Sequence, residues 1–226
     1  MDIKLGLVGA ALFFSVASGI AQAQITPDST LPNNSQVSPR GNRTVIEGGT
    51  KAGSNLFHSF REFSVPTGAA AYFNNAADIA NIFSRVTGGS VSTINGLIRA
   101  NGAANLFLLN PNGILFGPNA VLDLGGSFLG STADFIEFAD GVRFSANAPS
   151  APPLLTVSAP LGLVFGSNPD SISVQGSGHN FTGDDPTFSP LTRSVQFSGL
   201  AVRQGRTLAL VGGDVSLQGG NLAAPG

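Results

Sequence analysis

Two short apolar runs, residues 106–109 (Leu-Phe-Leu-Leu) and 114–116 (Ile-Leu-Phe), flank the turn Asn110-Pro111-Asn112-Gly113, and this stretch restricts the fold more than any other. Pro111 presets φ for the first central position of a turn. Asn112 and Gly113 tolerate positive φ, and Asn110 can hydrogen-bond its own backbone two residues on. The runs are too short and too uniformly apolar for amphipathic helices. They predict strands buried on both faces, as in parallel sheets.

Composition narrows the class. The 226 residues suffice for one domain with a full core, or two small ones. Charged residues are 11%, less than half the usual share of about 25%. Disorder needs low hydrophobicity and high charge, which excludes it, and a helical bundle needs a charged surface, which argues against one. Thirty glycines punctuating short apolar runs point to an all-β protein with many turns. A net charge of −2 argues against nucleic acid as a partner. The absence of cysteine excludes disulfides, thiol catalysis and thiolate metal sites, and it suits a chain that must thread a pore unfolded.

Residues 1–23 have the pattern of a secretory signal peptide. Lys4 precedes an apolar run over residues 5–20, and Ala21-Gln22-Ala23 matches the small-x-small cleavage pattern. The mature chain is expected to start near Gln24. No later run approaches the roughly 20 apolar residues of a membrane span, so no stable membrane insertion is expected. Residues 24–50 are rich in turn formers and predict an extended lead-in rather than core, with one short strand over residues 44–46. Phe57, Phe60, Phe63, Tyr72 and Phe73 predict core packing at one end of the fold; the Phe57–Phe60–Phe63 spacing fits a helical face, and residues 60–65 also fit a strand and bend.

A loose repeat follows. Gly68, Gly113, Gly162 and Gly205 are 45, 49 and 43 residues apart, each between an apolar run and a second run. The best match pairs residues 106–117 with 155–166. Such a spacing fits a four-stranded propeller blade, or two coils of a parallel β-helix at roughly 22 residues each, with Gly-Gly pairs at 88–89, 125–126 and 212–213 turning corners. The runs barely alternate, which favours stacked parallel coils, with turn asparagines able to form ladders. Residues 145–160 and 176–194 lack periodicity and predict loops leaving the helix. The chain ends within the repeat grammar and without a polar cap, so truncation before downstream repeats is expected.

No reaction chemistry is legible. Only His58 and His179 are present, and no G-x-S-x-G elbow occurs. Asp184-Asp185 is the only adjacent carboxylate pair and reads as a solvated turn. Asp123, Asp134, Glu137, Asp140 and Asp170 are scattered singly, unlike the paired carboxylates of a glycosidase. No catalytic residue, cofactor or metal site is expected.

Asn110-Pro111-Asn112-Gly113-Ile114 resembles the NPNGI signature of the two-partner-secretion (TPS) domain, the N-terminal domain of filamentous haemagglutinins, large cytolysins and contact-dependent inhibition proteins. Residues 55–63, 82–89 and 210–214 resemble further blocks of that family, in the same order, and the likeness runs over residues 24–226. A related NPNL signature, expected between residues 68 and 82, is not present; Asn74-Asn75 is the nearest match. The resemblance implies a right-handed, single-stranded, pectin-lyase-like parallel β-helix with an N-terminal cap and extra-helical hairpins or loops. It implies a secretion and targeting domain of an adhesin-like exoprotein, not an enzyme. The general secretory machinery would deliver the chain to the periplasm. POTRA domains of a TpsB-type outer-membrane transporter would recognise it, and it would fold at the cell exterior, secreted or at the cell surface. Asn110, Pro111, Asn112, Gly113 and Ile114 would serve fold stability, transporter recognition or both. The alternative is a surface β-helix that binds or cleaves polysaccharide.

Overall fold

The computed structural model describes residues 23–147, 155–178, 181–182, 192–193 and 199–226. The expected signal peptide, apart from Ala23, lies outside the described residues. So do His179 and Asp184-Asp185. Among the described residues there is no helix.

The chain opens with β1 (Gln24–Pro27), β2 (Ser35–Arg40), β3 (Arg43–Gly48), β4 (Thr50–Ala52), the ten-residue β5 (Asn55–Ser64) and β6 (Ala70–Phe73). A three-strand unit then recurs: β7 (Asn81–Val86), β8 (Ser92–Ile94) and β9 (Leu97–Ala100), followed by β10 (Asn105–Leu109), β11 (Ile114–Phe116) and β12 (Val121–Asp123). After β13 (Phe128–Ser131) the chain leaves the stack for β14 (Phe135–Phe138), β15 (Arg143–Ser145) and β16 (Pro160–Val164). It returns at β17 (Ile172–Gln175), leaves again for the antiparallel pair β18 (Phe181–Thr182) and β19 (Thr192–Arg193), and rejoins at β20 (Gly199–Ala201). The last coil is β21 (Leu208–Val211), β22 (Val215–Gln218) and β23 (Asn221–Ala223).

These strands stack into a three-faced parallel solenoid of about six turns. The first face is β5-β7-β10-β13-β21, the second β8-β11-β17-β22, and the third β3-β6-β9-β12, with β20 and β23 pairing separately. Equivalent positions lie at equal height on successive coils. On the first face Leu56, Ile82, Leu106 and Phe128 align, 26, 24 and 22 residues apart. The three Gly-Gly pairs do sit at corners between faces. A Cβ on Gly88 would fall 2.2 Å from the carbonyl oxygen of Arg61, so only glycine passes there.

The longer repeat near 45 residues is corrected by this topology. Gly68 and Gly113 occupy different corners, and Gly162 lies in β16, outside the stack. Residues 155–166 resemble 106–117 in apolar pattern alone. β16 pairs antiparallel with β14, whereas β10 and β11 pair parallel with their neighbours.

The lead-in is also corrected: it is a cap with its own core residues. β1 and β4 both pair antiparallel with β5, and β2 pairs antiparallel with β3. The open edges of the first and third faces are thereby closed, which removes a template for unwanted strand pairing. Ile25, Leu31, Val45 and Ile46 are buried. The aromatic segment is strand β5 rather than helix. A bulge beside Arg61, where Thr26 faces Glu62 but Pro27 faces Phe60, turns both Phe60 and Phe63 inward.

The first face is buried on both sides, as its uniform apolar runs predict. Leu56, Ile82, Leu106 and Phe128 point into the solenoid. Phe57, Phe83 and Phe107 point outward, where the antiparallel sheet β15-β14-β16 covers them with Ile136, Phe138 and Phe144. Phe83 stacks on Phe57 at 5.2 Å and on Phe107 at 4.6 Å and meets Phe138 edge-on at 5.1 Å. So the segment expected to be loop from residue 145 includes part of a covering layer. β11 departs from the expectation. Ile114 and Phe116 are buried but Leu115 is only half-buried, because nothing among the described residues covers the second face there.

Two polar groups are sealed in as the cap closes. Arg85, 1% exposed, donates from Nε to Ser59 Oγ at 2.8 Å, from Nη1 to the Ser145 carbonyl at 2.6 Å and from Nη2 to Thr30 Oγ1 at 2.8 Å. Asp28 accepts from Thr30, Ser59 and Thr87 beside it. Burial lowers the Arg85 pKa to about 10, so it remains a cation at neutral pH. His58 stacks against Phe60 and lies against Phe73, with Nδ1 3.0 Å from Ser35 Oγ on the cap strand β2. Burial pushes His58 down to about 3. The unfolded chain therefore takes up a proton near pH 6.5 that the folded chain refuses, so stability present above pH 6.5 is lost as pH falls toward 3. Between pH 7 and 4.5 the loss should be roughly 2.5 kcal/mol, read from urea denaturation midpoints, and His58→Gln should flatten that slope.

Candidate functional site

Asn110 follows β10 at the corner between the first and second faces, and it ties together three coils. Its backbone N–H donates to the Ser131 carbonyl on one neighbouring coil at 2.9 Å. Its side-chain Nδ2 donates to the Ser90 carbonyl and to Ser92 Oγ on the other, both at 2.9 Å. Its Oδ1 accepts the Asn112 N–H at 3.0 Å, the Asx turn that its position predicts, while its carbonyl accepts the Gly113 N–H at 3.1 Å. The residue is wholly buried, and both amide hydrogens are used.

The rest of the signature completes the corner. Asn112 Nδ2 donates to the Gly88 carbonyl at 2.7 Å, a second tie to the preceding coil. Gly113 has φ of 102°, and its carbonyl accepts the Ser92 N–H at 3.1 Å. Ile114 begins β11, in register with Ser92 and Ile172, and is 1% exposed in the main core. Pro111 and Asn112 remain half-buried. They border a cleft of about 350 Å³, whose walls include Thr87, Gly88, Asp134, Asn147 and Asn168. The five signature residues thus form one corner, of which only Pro111 and Asn112 reach the surface.

The sequence reading expected asparagine ladders without placing them, and one lies at the other end of the first face. Asn55, Asn81 and Asn105 open successive strands of the first face as a ladder. Asn81 Nδ2 donates to Asn55 Oδ1 at 3.0 Å, Asn105 Nδ2 to Asn81 Oδ1 at 2.9 Å, and the Ser127 N–H caps Asn105 Oδ1 at 2.8 Å. The signal was present as Asn-Leu-Phe at 55–57, Asn-Ile-Phe at 81–83 and Asn-Leu-Phe at 105–107. The buried Arg85 has no such signal, since one arginine among short strands looks like any surface cation.

The candidates for reaction chemistry are not brought together. His58 is sealed in the core, Glu137 pairs with Arg143 at 3.1 Å, and Asp123 pairs with Arg99 and Arg203. Among the described residues no group of three His, Cys, Asp or Glu side chains is placed to hold a metal ion.

The family model of the TPS secretion domain matches residues 23–226. Among solved structures, the crystal structure of a filamentous hemagglutinin secretion domain is similar. It is 15% identical, covers 89% of this chain and 99% of its own, and superposes with a TM-score of 0.42. No curated protein matches the sequence.

Asn110→Ala would leave the Ser90 carbonyl, Ser92 Oγ and the Asn112 N–H without their buried partner. The expected cost is about 3 kcal/mol in chemical denaturation, against about 1 kcal/mol for Asn112→Ala, which loses one tie at a half-exposed position.

Proposed function

This chain belongs to the TPS secretion domain family, whose members are substrates of two-partner secretion across the outer membrane, and we propose that its signature corner acts in export by driving the chain to fold outside the cell. In this reading the signal peptide hands the chain to the general secretory machinery, and it reaches the periplasm unfolded. POTRA domains of a cognate TpsB-type transporter take the extended chain, which crosses the barrel with its N-terminus leading. Emerging coils then close in order, each on the one before.

The observation that carries the reading is the burial of Asn110 with both amide hydrogens committed to the preceding coil. In the folded domain Asn110, Gly113 and Ile114 offer a partner no surface, so their contribution to export is best placed at coil closure. The ordering of coils supports the direction of travel. Successive strands of the first face pair within 22 to 26 residues up to β13, so each coil can complete as soon as its own segment emerges. The cap comes first in the chain and blocks the edges on which the stack would otherwise grow backward.

Export measured with and without the candidate transporter tests this. Protein in the medium should require the transporter, and Asn110→Ala should lower it while protease-sensitive chain accumulates in the periplasm. Release that ignores the transporter would overturn the reading. An Asn110→Ala protein as stable as wild type but not exported would move the role of this corner from folding to direct recognition.

A further inference from the structure

On the third face two arginines converge on one aromatic ring, and a third lines the cleft beside them. Tyr72 in β6 and Arg99 in β9 are in register, and Arg43 in β3 reaches the ring from the coil on the other side. The Arg43 guanidinium lies 5.3 Å from the Tyr72 ring centre and that of Arg99 lies 5.6 Å from it. Tyr72 is itself fixed, because its hydroxyl donates to Asn101 Oδ1 at 2.5 Å, and Asn101 is bonded to Asn74 and Asn75 of the adjacent coil. Arg40, at the end of β2, joins them around a cleft of about 380 Å³ with Ala70 and Leu97 among its lining residues.

The charge is only partly neutralised from within. Asp123, in register with Arg99, is 3.5 Å from it, but it is held at 2.8 Å by Arg203. Glu47, near the far end of β3, accepts from Asn74. Arg40 and Arg43 have no ion pair among the described residues. Three of only eleven basic residues in a chain of net charge −2 therefore face one cleft.

We propose that this cleft is a binding site for a linear anionic polysaccharide. Guanidinium forks match carboxylate and sulfate groups in geometry, and the Tyr72 ring holds two of them in place before any ligand arrives. Arg40 and Arg43 face each other across β2 and β3, and Arg99 lies two coils further on and two residues out of register with Arg43. With strands about 4.8 Å apart the cations are thus spread along the solenoid, which suits a chain of repeated charges better than a single ion. Ala70 and Leu97 are partly buried in β6 and β9, where the apolar face of a sugar ring can rest on them.

Heparin, as a sulfated probe, and polygalacturonate, as a carboxylate probe, should be titrated against the purified chain at about 50 mM salt, where such contacts are weakly screened. Binding of either probe is expected, and whichever binds more tightly identifies the anion. Arg43→Ala and Arg99→Ala should each weaken it about tenfold, the loss of one charge-assisted contact. Arg40→Ala, at an exposed hairpin end, should do the same without touching the stack. Arg61→Ala, which removes an exposed charge elsewhere, should leave binding unchanged, and unaltered circular dichroism melts would show that every variant is folded. No binding to either glycan, equal weakening by Arg61→Ala, or arginine-dependent binding to phosphatidylglycerol vesicles alone would overturn the proposal.

Discussion

In a parallel solenoid the backbone donors and acceptors of each strand point along the stacking axis, so every coil is satisfied only by the coils beside it. The other features follow from this constraint. Matched heights require matched residues, which is why apolar side chains recur at Leu56, Ile82, Leu106 and Phe128 and why asparagines recur at 55, 81 and 105. The corners cannot use the ladder of the faces and need side chains to bind the backbone instead. Asn110 does this for the first corner, and Asn95, which accepts the Asn119 N–H at 2.8 Å, does it for the second. A wholly buried amide is tolerable only because all of its hydrogen-bonding capacity is met.

The covering sheet has a different logic. A solenoid face normally ends at water, yet Phe57, Phe83 and Phe107 make the outside of the first face as apolar as its inside. The sheet β15-β14-β16 answers that pattern, and Arg85 pins it. One guanidinium touches Thr30 of the cap, Ser59 of β5 and Ser145 of β15, and it lies 4.5 Å from the Phe144 ring. Cap, coil and covering sheet thus share one buried cation.

Much of this was legible in the sequence for stated reasons. Uniform apolar runs foretold strands buried on two sides, glycine pairs foretold corners, and Asn110-Pro111-Asn112-Gly113 foretold a turn. The coil length was read roughly right, but the match of residues 155–166 to 106–117 was misjudged because 155–166 copy the composition of a coil while pairing antiparallel. Apolar content records that a strand is covered, not the direction of its neighbour. The asparagine triplets at 55, 81 and 105 carried the true period, since a ladder demands the same residue at the same height. The Arg40, Arg43, Tyr72 and Arg99 cluster had no counterpart in the sequence. Its members are spread over 60 residues and meet only when coils stack.

The excursion changes the entropy of closing the stack. Asn105 and Ser127 meet across 22 residues, but the next pair on the same side of the first face, Ser127 and Thr207, is separated by 80. Closing the longer loop costs about 1.1 kcal/mol more in chain entropy than closing the shorter one. The covering sheet offsets this. Phe138 and Phe144 dock on Phe57 and Phe83 near the start of the long loop, and β16, paired with β14, carries that anchor to residues 160–164 near its middle, so the loop becomes two shorter ones. The outer layer therefore acts as a splint for the last coil as well as a lid on the first face.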